Sequence, residues 1–562
     1  MTKWIHSFDK KLENIVSERK LVGNKGLNLC LMKQMGLPVP SGFVITSETF
    51  DYREENKSLP KEFFNELKEN LYNIEKELNL KFGDPNNPLI VSIRSGSQYS
   101  MPGMLDTILN VGLNREIVKK ISQNNQSLFA LDTWRRFLQM YSHVVYNIEH
   151  YFFDEILESY LLGAGLSSTS QLNPQDIEEI CTQYLSLIEE KNEKPFLENV
   201  DEQLVNGIYA VMDSWKNERA VAFRKLNNIP DEAGIAVNIQ QMVFGNFNEQ
   251  SASGVLFSRN PDNGEKVVKG EYILCAQGED VVSGFVTPQS INKKYKNEYS
   301  DSVTLEEKFP SIYKELINIS TKLENYFRNI QDIEFTIESG NLWILQSRNA
   351  ETNLEASLNI TRDMVKEGLI EKETAIASID IEAIKRSLIP ILDDSFNNVI
   401  LSSGLPASPG VISGKIAFDS EGIDRIQGQG DKSILVLVVT NTKDIKALHN
   451  SDGILTSRGG LTSHAAVVAR GLGKACITGA REIDINIEER QVVINNKIFH
   501  ENDLITINGH TGDIIQGEAR TKPKSPTPAL EEILNWCEGI IGSNNDDPMS
   551  ILKKTRKKLE KK

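Results

Sequence analysis

The run Gly459-Gly460-Leu461-Thr462-Ser463-His464-Ala465-Ala466-Val467-Val468-Ala469-Arg470 constrains this chain more than any other stretch. Two glycines permit a tight turn, and the small residues after Ser463 favour a helix. His464 therefore stands at a helix N-terminus, where free N–H groups and the helix dipole favour negative charge. The same positive end disfavours imidazolium and keeps the ring neutral and nucleophilic. Thr462 and Ser463 supply hydroxyls that can donate to an anion carried on that ring. A histidine so placed suits the acceptance and onward transfer of a phosphoryl group. Taken singly, the same residues also read as a capping serine beside a structural histidine; the full pattern favours the phosphocarrier.

The length, 562 residues, predicts two to four domains. A formal net charge of −16 argues against nucleic-acid or anionic-membrane partners, but leaves room for a local basic site that binds phosphate. No run of about eighteen apolar residues occurs, and no apolar signal follows the first residues. Cys30, Cys181, Cys275, Cys476 and Cys537 form no C-x-x-C pair, so neither a disulfide framework nor a zinc site is expected. A reducing cytoplasm is the simplest home.

The periodicities predict a multidomain α+β and α/β chain. Residues 1–350 mix helices and strands, with helical periodicity over about 115–225 and strands dominating after about 234. Residues 351–400 read as an amphipathic helical connector. A second globular unit covers 401–520, with Asn495-Asn496 as a hairpin turn between two of its strands. Residues 521–562 read as a linker with prolines and a basic end, most simply a solvated or frayed terminus.

A second candidate site lies in the first 350 residues. Gly23-Asn24-Lys25-Gly26 combines glycines that let backbone amides approach a phosphate with a point charge; a surface turn carrying a lysine reads the same way. Arg94, in Ser92-Ile93-Arg94-Ser95-Gly96, ends a strand next to a glycine, and Ser100-Met101-Pro102-Gly103-Met104 is a loop with turn chemistry. Further on, Asp332-Ile333-Glu334 and Gln346-Ser347-Arg348 flank a hairpin. If Ser339-Gly340-Asn341 forms a three-residue turn, Glu334 lies opposite Gln346 and Asp332 opposite Arg348; a two-residue turn puts Gln346 on the other face. The first register gathers carboxylates, an amide oxygen and a guanidinium on one surface, which suits Mg²⁺ and a polyphosphate. A solvated strand face with a salt bridge is the plain alternative.

Together these stretches resemble the pyruvate, phosphate dikinase family. Lys3-Trp4-Ile5-His6-Ser7-Phe8 and Gly36-Leu37-Pro38-Val39-Pro40-Ser41-Gly42-Phe43 look like that family's opening. Ser100 to Asn110, Ala276-Gln277-Gly278-Glu279-Asp280-Val281-Val282 and Leu405-Pro406-Ala407-Ser408-Pro409-Gly410 look like later blocks of it. They favour the dikinases over phosphoenolpyruvate synthases and over antibiotic phosphotransferases built from similar parts. The resemblance implies an ATP-grasp-like nucleotide domain with a helical insertion and a swivelling β/β/α phosphohistidine domain. It implies that His464 takes the pyrophosphoryl group of ATP, releases AMP, passes the outer phosphate to inorganic phosphate to give pyrophosphate, and sends the remaining phosphoryl group to pyruvate. Carried over by motif, Lys25, Arg94, Gly103, Glu279, Asp332 and Arg348 would bind nucleotide and phosphate. Arg135 or Arg136 would reach the γ-phosphate, and Glu334 and Gln346 would manage Mg²⁺. Thr462 would match a regulatory phosphorylation site of some relatives.

Departures qualify the match. Asn24 replaces a usual glycine, and a charged segment with a proline is lost around Val438-Val439-Thr440-Asn441-Thr442-Lys443. The family's pyruvate-binding barrel is resembled only in its lead-in, Leu530-Glu531-Glu532-Ile533-Leu534-Asn535-Trp536, and the sequence departs after about Pro548. The expectation is therefore an ATP- and phosphate-using half that serves a separate barrel subunit, with self-association also compatible. A truncated nucleotide-binding protein without turnover, and a phosphotransferase with another acceptor, are the alternatives.

Overall fold

The computed structural model describes residues 4–101, 103–166, 168–283, 288–296, 303–393, 395–396, 398–440, 444–460, 463–542 and 547–561. They form two compact units: Met1–Pro261 with Glu265–Glu351, and Asp262–Gly264 with Thr352–Lys562.

The first unit holds two antiparallel five-stranded sheets. One runs in the order Ile5–Ser7, Gly42–Ile45, Ala236–Gln241, Val91–Gly96, Thr107–Val111. The other runs Gln289–Ser290, Lys269–Leu274, Ala252–Phe257, Gln331–Glu338, Asn341–Asn349. Between Thr107–Val111 and Ala236–Gln241 the chain makes a helical excursion, from Arg115–Ile121 to Glu218–Leu226. Its helices begin where the sequence supplies caps: Asn173 accepts from the amides of Gln175 and Asp176, and Asn199 from those of Asp201 and Glu202. They share one core with the first sheet, in which Ile93, Ile108, Phe137 and Ile208 are buried. The second sheet packs its Ile333, Phe335 and Ile337 with Leu27 and Cys30 of Ile15–Gln34 and Leu316 of Pro310–Phe327.

The second unit is built on an eight-stranded sheet whose central strands, Val411–Ala417, Ser433–Leu437, Gly453–Thr456 and Ala475–Thr478, run parallel. Such strands are covered on both faces and read as unbroken apolar runs, as Ser433-Ile434-Leu435-Val436-Leu437 does. Alternation sorts that run. Ile434 and Val436 join a core with Ile483, Val492 and Phe499 of a small three-stranded sheet. Leu435 and Leu437 join another with Ile423, Leu448 and Ala466 of the crossover helices. The result is three layers: small sheet, large sheet, helices. Asn495 and Asn496, at φ of 48° and 60°, make the two-residue turn between Gln491–Ile494 and Lys497–His500.

The two ends of this unit fold together. Helices Leu354–Lys366, Lys372–Ser378, Ile381–Ser387, Pro528–Ile541 and Pro548–Leu559 bury Leu358, Ile376, Ile384, Ile533 and Leu552 in one core. A two-stranded ribbon, Ile391–Leu392 with Thr521–Lys522, leads from that cluster to the large sheet. The basic end is thus not a frayed terminus. Its lysines are solvated, but Ile551, Leu552 and Thr555 face inward, and Arg556 donates to the carbonyls of Ile376, at 3.2 Å, and Ala377, at 3.0 Å. This yields a test. Leu552→Ala should lower stability in urea unfolding by about 2–5 kcal/mol, whereas Lys557→Ala, on the exposed face of the same helix, should stay within about 0.5 kcal/mol of the parent. Equal, small effects would mean the terminal helix is not part of the core.

Candidate active site

Lys25 owes its placement to a glycine. Helix Ile15–Gln34 is broken at Gly23, whose φ of 69° and ψ of 171° are not helical. A Cβ at Gly23 would lie 3.0 Å from the carbonyl carbon of Gly96 and from the nitrogen of Ser97, so no larger residue allows this approach to the end of Val91–Gly96. Asn24 fastens it: its N–H donates to Ser97 O at 2.9 Å, and its Nδ2 donates to Gln98 O at 2.7 Å. Residues 23–26, expected as a loop, are instead the kinked start of a helical segment, and Asn24 has a role there that glycine could not fill. Asn28 Nδ2 ties the same helix to Ser347 O at 2.7 Å.

The hairpin brings Glu334 opposite Gln346 and Asp332 opposite Arg348, but not through the three-residue turn expected. Glu338 pairs with Asn341, leaving Ser339 and Gly340 as a two-residue turn with φ of 48° and 79°. The register then shifts between Glu334 and Phe335: Phe335 faces Ile344, Glu334 faces Gln346, and Leu345 is the extra residue of a bulge. That one insertion restores the shared face. It also presents the Leu345 carbonyl to Arg94, whose Nη1 donates to it at 3.4 Å. Arg94 Nη2 reaches Glu334 Oε2 at 3.0 Å and Gln346 Oε1 at 3.4 Å, and Arg348 Nε donates to Asp332 Oδ2 at 2.7 Å.

These charges perturb one another. Burial opposes ionisation of Glu334, but Arg94 and then Lys25 outweigh it and hold the carboxyl below its ordinary range. Burial pushes the Asp332 carboxyl up, against the pull of Arg348. Lys25 responds most. Burial, then Arg94, pushes its ammonium down; Glu334 opposes and Arg348 adds to the push, leaving it at about 7. Among the described residues Lys25 makes no hydrogen bond or ion pair. Glu334 and Gln346 converge on one point, now taken by a guanidinium, and the two hard oxygens there are of the kind that would hold Mg²⁺. No cluster of three His, Cys, Asp or Glu suited to a metal occurs among the described residues, so the protein alone offers no full cage.

A cleft of about 250 Å³ adjoins the cluster, with Arg94, Thr107, Gln240, Gln241, Val255, Glu279 and Glu334 in its wall. Gln240 Nε2 and Gln241 Oε1 are buried and unpartnered among the described residues, which leaves a donor and an acceptor for a ligand. Burial lifts the Glu279 carboxyl to about 7, against the pull of Arg136. Arg136 bridges Asp132 and Asp280, at 2.8 Å each. Arg135 is not brought to the cleft: it is 5% exposed and forks onto Asp132 at 3.1 and 2.8 Å. The spacing of Asp132 to Arg135 and Arg136, three and four residues along a helix, was a legible signal for this capture. Gly103, at φ 70°, sits in an open turn after Met101 and does not line the cleft.

In the second unit, His464 opens helix His464–Leu472; its side chain, Leu461 and Thr462 lie outside the described residues. Ser463 caps the helix, its Oγ accepting from Ala466 N at 3.4 Å. Gly459 has a φ of 115°, and a Cβ there would stand 3.1 Å from that of Ser463. The loop is anchored by Arg458 N, which donates to Val438 O at 2.9 Å. A wider cleft of about 890 Å³ lies against it, with Arg458 and Arg481 in its wall. Of the altered segment 438–443, Asn441, Thr442 and Lys443 lie outside the described residues.

The chain matches the family described as "Pyruvate phosphate dikinase, AMP/ATP-binding domain" over residues 55–144, 164–313 and 292–369, more than half its length. It belongs to the pyruvate, phosphate dikinase family. Residues 429–512, around His464, match "PEP-utilising enzyme, mobile domain". A pyruvate, phosphate dikinase of Rhizobium meliloti (strain 1021) is 40% identical over 542 residues, 96% of this chain and 60% of that protein. One of Clostridium symbiosum is 39% identical over 561 residues, 98% of this chain and 63% of that protein. A chloroplastic one of Flaveria trinervia is 39% identical over 541 residues, 95% and 56% of the two chains. The chain thus spans about three-fifths of the length of these dikinases. No helix among the described residues is long and apolar enough to cross a membrane.

Lys25 gives a pH test of the cluster. The unfolded chain keeps its proton up to about 10.5, while the folded chain loses it at about 7, so this group's contribution to stability rises with pH between those values. Lys25→Met should therefore raise the unfolding temperature more at pH 6 than at pH 10. A gain seen only at pH 10 would contradict the buried, cation-flanked placement.

Proposed function

We propose that this chain is the ATP-handling and phosphocarrier part of a dikinase-type phosphotransferase. The observation that carries the reading is the convergence of Arg94, Glu334 and Gln346 beside Lys25 and the Asp332–Arg348 pair, three cations against two carboxylates on one surface. A surplus of partly shielded positive charge with one cation unpartnered is a place for a polyphosphate. Lys25, Arg94 and Arg348 bind the triphosphate, in an ATP-grasp-like arrangement of the two sheets. Glu334 and Gln346 hold Mg²⁺, which when bound neutralises phosphate charge. The cleft with Gln240, Gln241 and Glu279 takes the nucleoside. Arg94, which donates to Glu334 and Gln346, would also be within the site to meet phosphate oxygens, and the two acceptors it uses are those that would hold Mg²⁺.

The reaction runs on His464. A ring nitrogen attacks the β-phosphorus of ATP, the bond from that phosphorus to the oxygen of AMP breaks, and AMP leaves with the electron pair. An oxygen of inorganic phosphate then attacks the outer phosphorus, the bond from that phosphorus to the bridging oxygen breaks with its electron pair left on that oxygen, and pyrophosphate departs, leaving a single phosphoryl group on the histidine. The helix N-terminus favours the neutral nucleophile and the anion it becomes. The acceptor is pyruvate, reached by a swivel of the carrier unit. Thr462, two residues before the histidine, is the place where regulation by phosphorylation would act.

ATP labelled at the β-phosphate, given with Mg²⁺ and phosphate, should leave acid-labile label on the protein and release AMP. His464→Asn should abolish the label while ATP binding persists, and chelation of Mg²⁺ should also remove it. Arg94→Met should slow labelling by roughly 10²–10³-fold, the usual cost of one preorganised charge in a transition state. Normal labelling of the His464 variant would refute the carrier assignment.

A further inference from the structure

Asn238 occupies an unusual place. It lies in Ala236–Gln241, the middle strand of the first sheet, paired with Val44 on one side and Arg94 on the other. Its side chain is fully buried, where amides are uncommon. Nδ2 donates to the backbone carbonyl of Arg94 at 3.2 Å, while Oδ1 has no partner among the described residues. Two glycines close over this amide. A Cβ at Gly96 would stand 2.9 Å from Asn238 Nδ2 and 3.8 Å from Lys25 Cβ, and one at Gly26 would stand 3.0 Å from Asn238 Oδ1. Gly96 ends the strand that carries Arg94, and Gly26 follows Lys25. The amide therefore touches both backbone segments whose side chains form the phosphate cluster, with no side chain in between.

Stability alone gives no reason for an amide here. A buried oxygen without a donor is unfavourable, and an apolar residue of similar size would avoid it. We infer that Asn238 is the positioning residue for Lys25, setting its distance from Arg94 and its exclusion from water, an inference that rests on the phosphate-binding role proposed above. Size is fixed from both sides: a longer side chain would collide with Gly26 or Gly96, and a shorter one would let the kinked helix settle or water enter. Charge is fixed as well, because a carboxylate in this place would add a negative charge against the two segments that carry Lys25 and Arg94. Gly26 and Gly96 belong to the same device, since each leaves room for the amide.

The test reads Lys25 directly. The nucleotide-free protein is acylated with an acetyl succinimidyl ester across pH 5–11, and the Lys25 peptide is quantified by mass spectrometry. The parent should show a midpoint near 7. Asn238→Asp should raise that midpoint by roughly one pH unit or more. Asn238→Ser, which withdraws the bond to Arg94 while staying small and polar, should also raise it, and should weaken Mg·ATP binding by roughly tenfold at pH 7 with circular dichroism unchanged. If Asn238→Asp does not fold, Asn238→Ser carries both measurements. Folded variants that keep the parental midpoint and the parental affinity would overturn the inference, because a residue that only fills the core changes stability and not the Lys25 profile. Should the parent fail to bind Mg·ATP, the nucleotide reading falls by itself, and the acylation profiles still uphold or overturn the link between Asn238 and Lys25.

Discussion

The bridge that Arg94 makes to Glu334 and Gln346 is the interaction on which the first unit depends. It joins the end of a strand in one sheet to a hairpin of the other, across 240 residues of chain for the pair with Glu334. A half-buried ion pair of this kind gains little stability, because desolvation offsets most of the attraction. Its value is in the balance of charge it sets. Arg94 and Arg348 satisfy two carboxylates, and Lys25 is left over, half-shielded from water and flanked by cations. The depressed basicity of Lys25 measures how far this arrangement lacks an anion. The triphosphate proposed above would supply that anion.

The second unit solves a different problem by simpler means. Its parallel strands must be covered on both faces, and side-chain alternation along Ile434, Leu435, Val436 and Leu437 assigns each to a layer. Once the helical layer is fixed, the turn after Gly453–Thr456 has to climb from the carboxyl end of a strand to the start of a helix. That is where open α/β sheets place their ligands. Gly459 and Ser463 make the climb in few residues, and His464 is the first residue delivered to the helix. The clustering of Leu354–Lys366 and its neighbours with Pro528–Ile541 and Pro548–Leu559 then brings both ends of the sheet segment to one base, joined by the ribbon at Ile391–Leu392.

What could be read from the sequence was local. The cap at Ser463, the helix after it, the two-residue turn at Asn495-Asn496 and the apolar strands of the second unit follow from neighbours a few residues away. The partners of Glu334 and Asp332 were also legible, yet for an incomplete reason. The pairing came out as anticipated, while the turn has two residues and a bulge at Leu345 compensates. Nothing in the run Phe335 to Leu345 announces that bulge; its carbonyl is held by Arg94 from 251 residues away. Arg135 shows the opposite: Asp132, three residues before it on the same helix, captures it, a pairing that a local reading of the helix face could have found.

The sequence by itself determined which segments are helix and strand, that His464 stands at the start of its helix, and which residues face one another across the hairpin at Glu334 and Gln346. Those outcomes depend on propensity, capping and alternation, which act within a turn or a strand. Only the tertiary structure decided that Gly23 breaks a helix instead of forming a loop, that Arg135 is held away from the cleft, and that Asn238 is buried against Gly26 and Gly96. Only it decided that the basic end joins a core. These depend on burial and on contacts between distant segments, where the cost of an unpaired charge or a colliding Cβ is set by whatever the rest of the chain has already placed there.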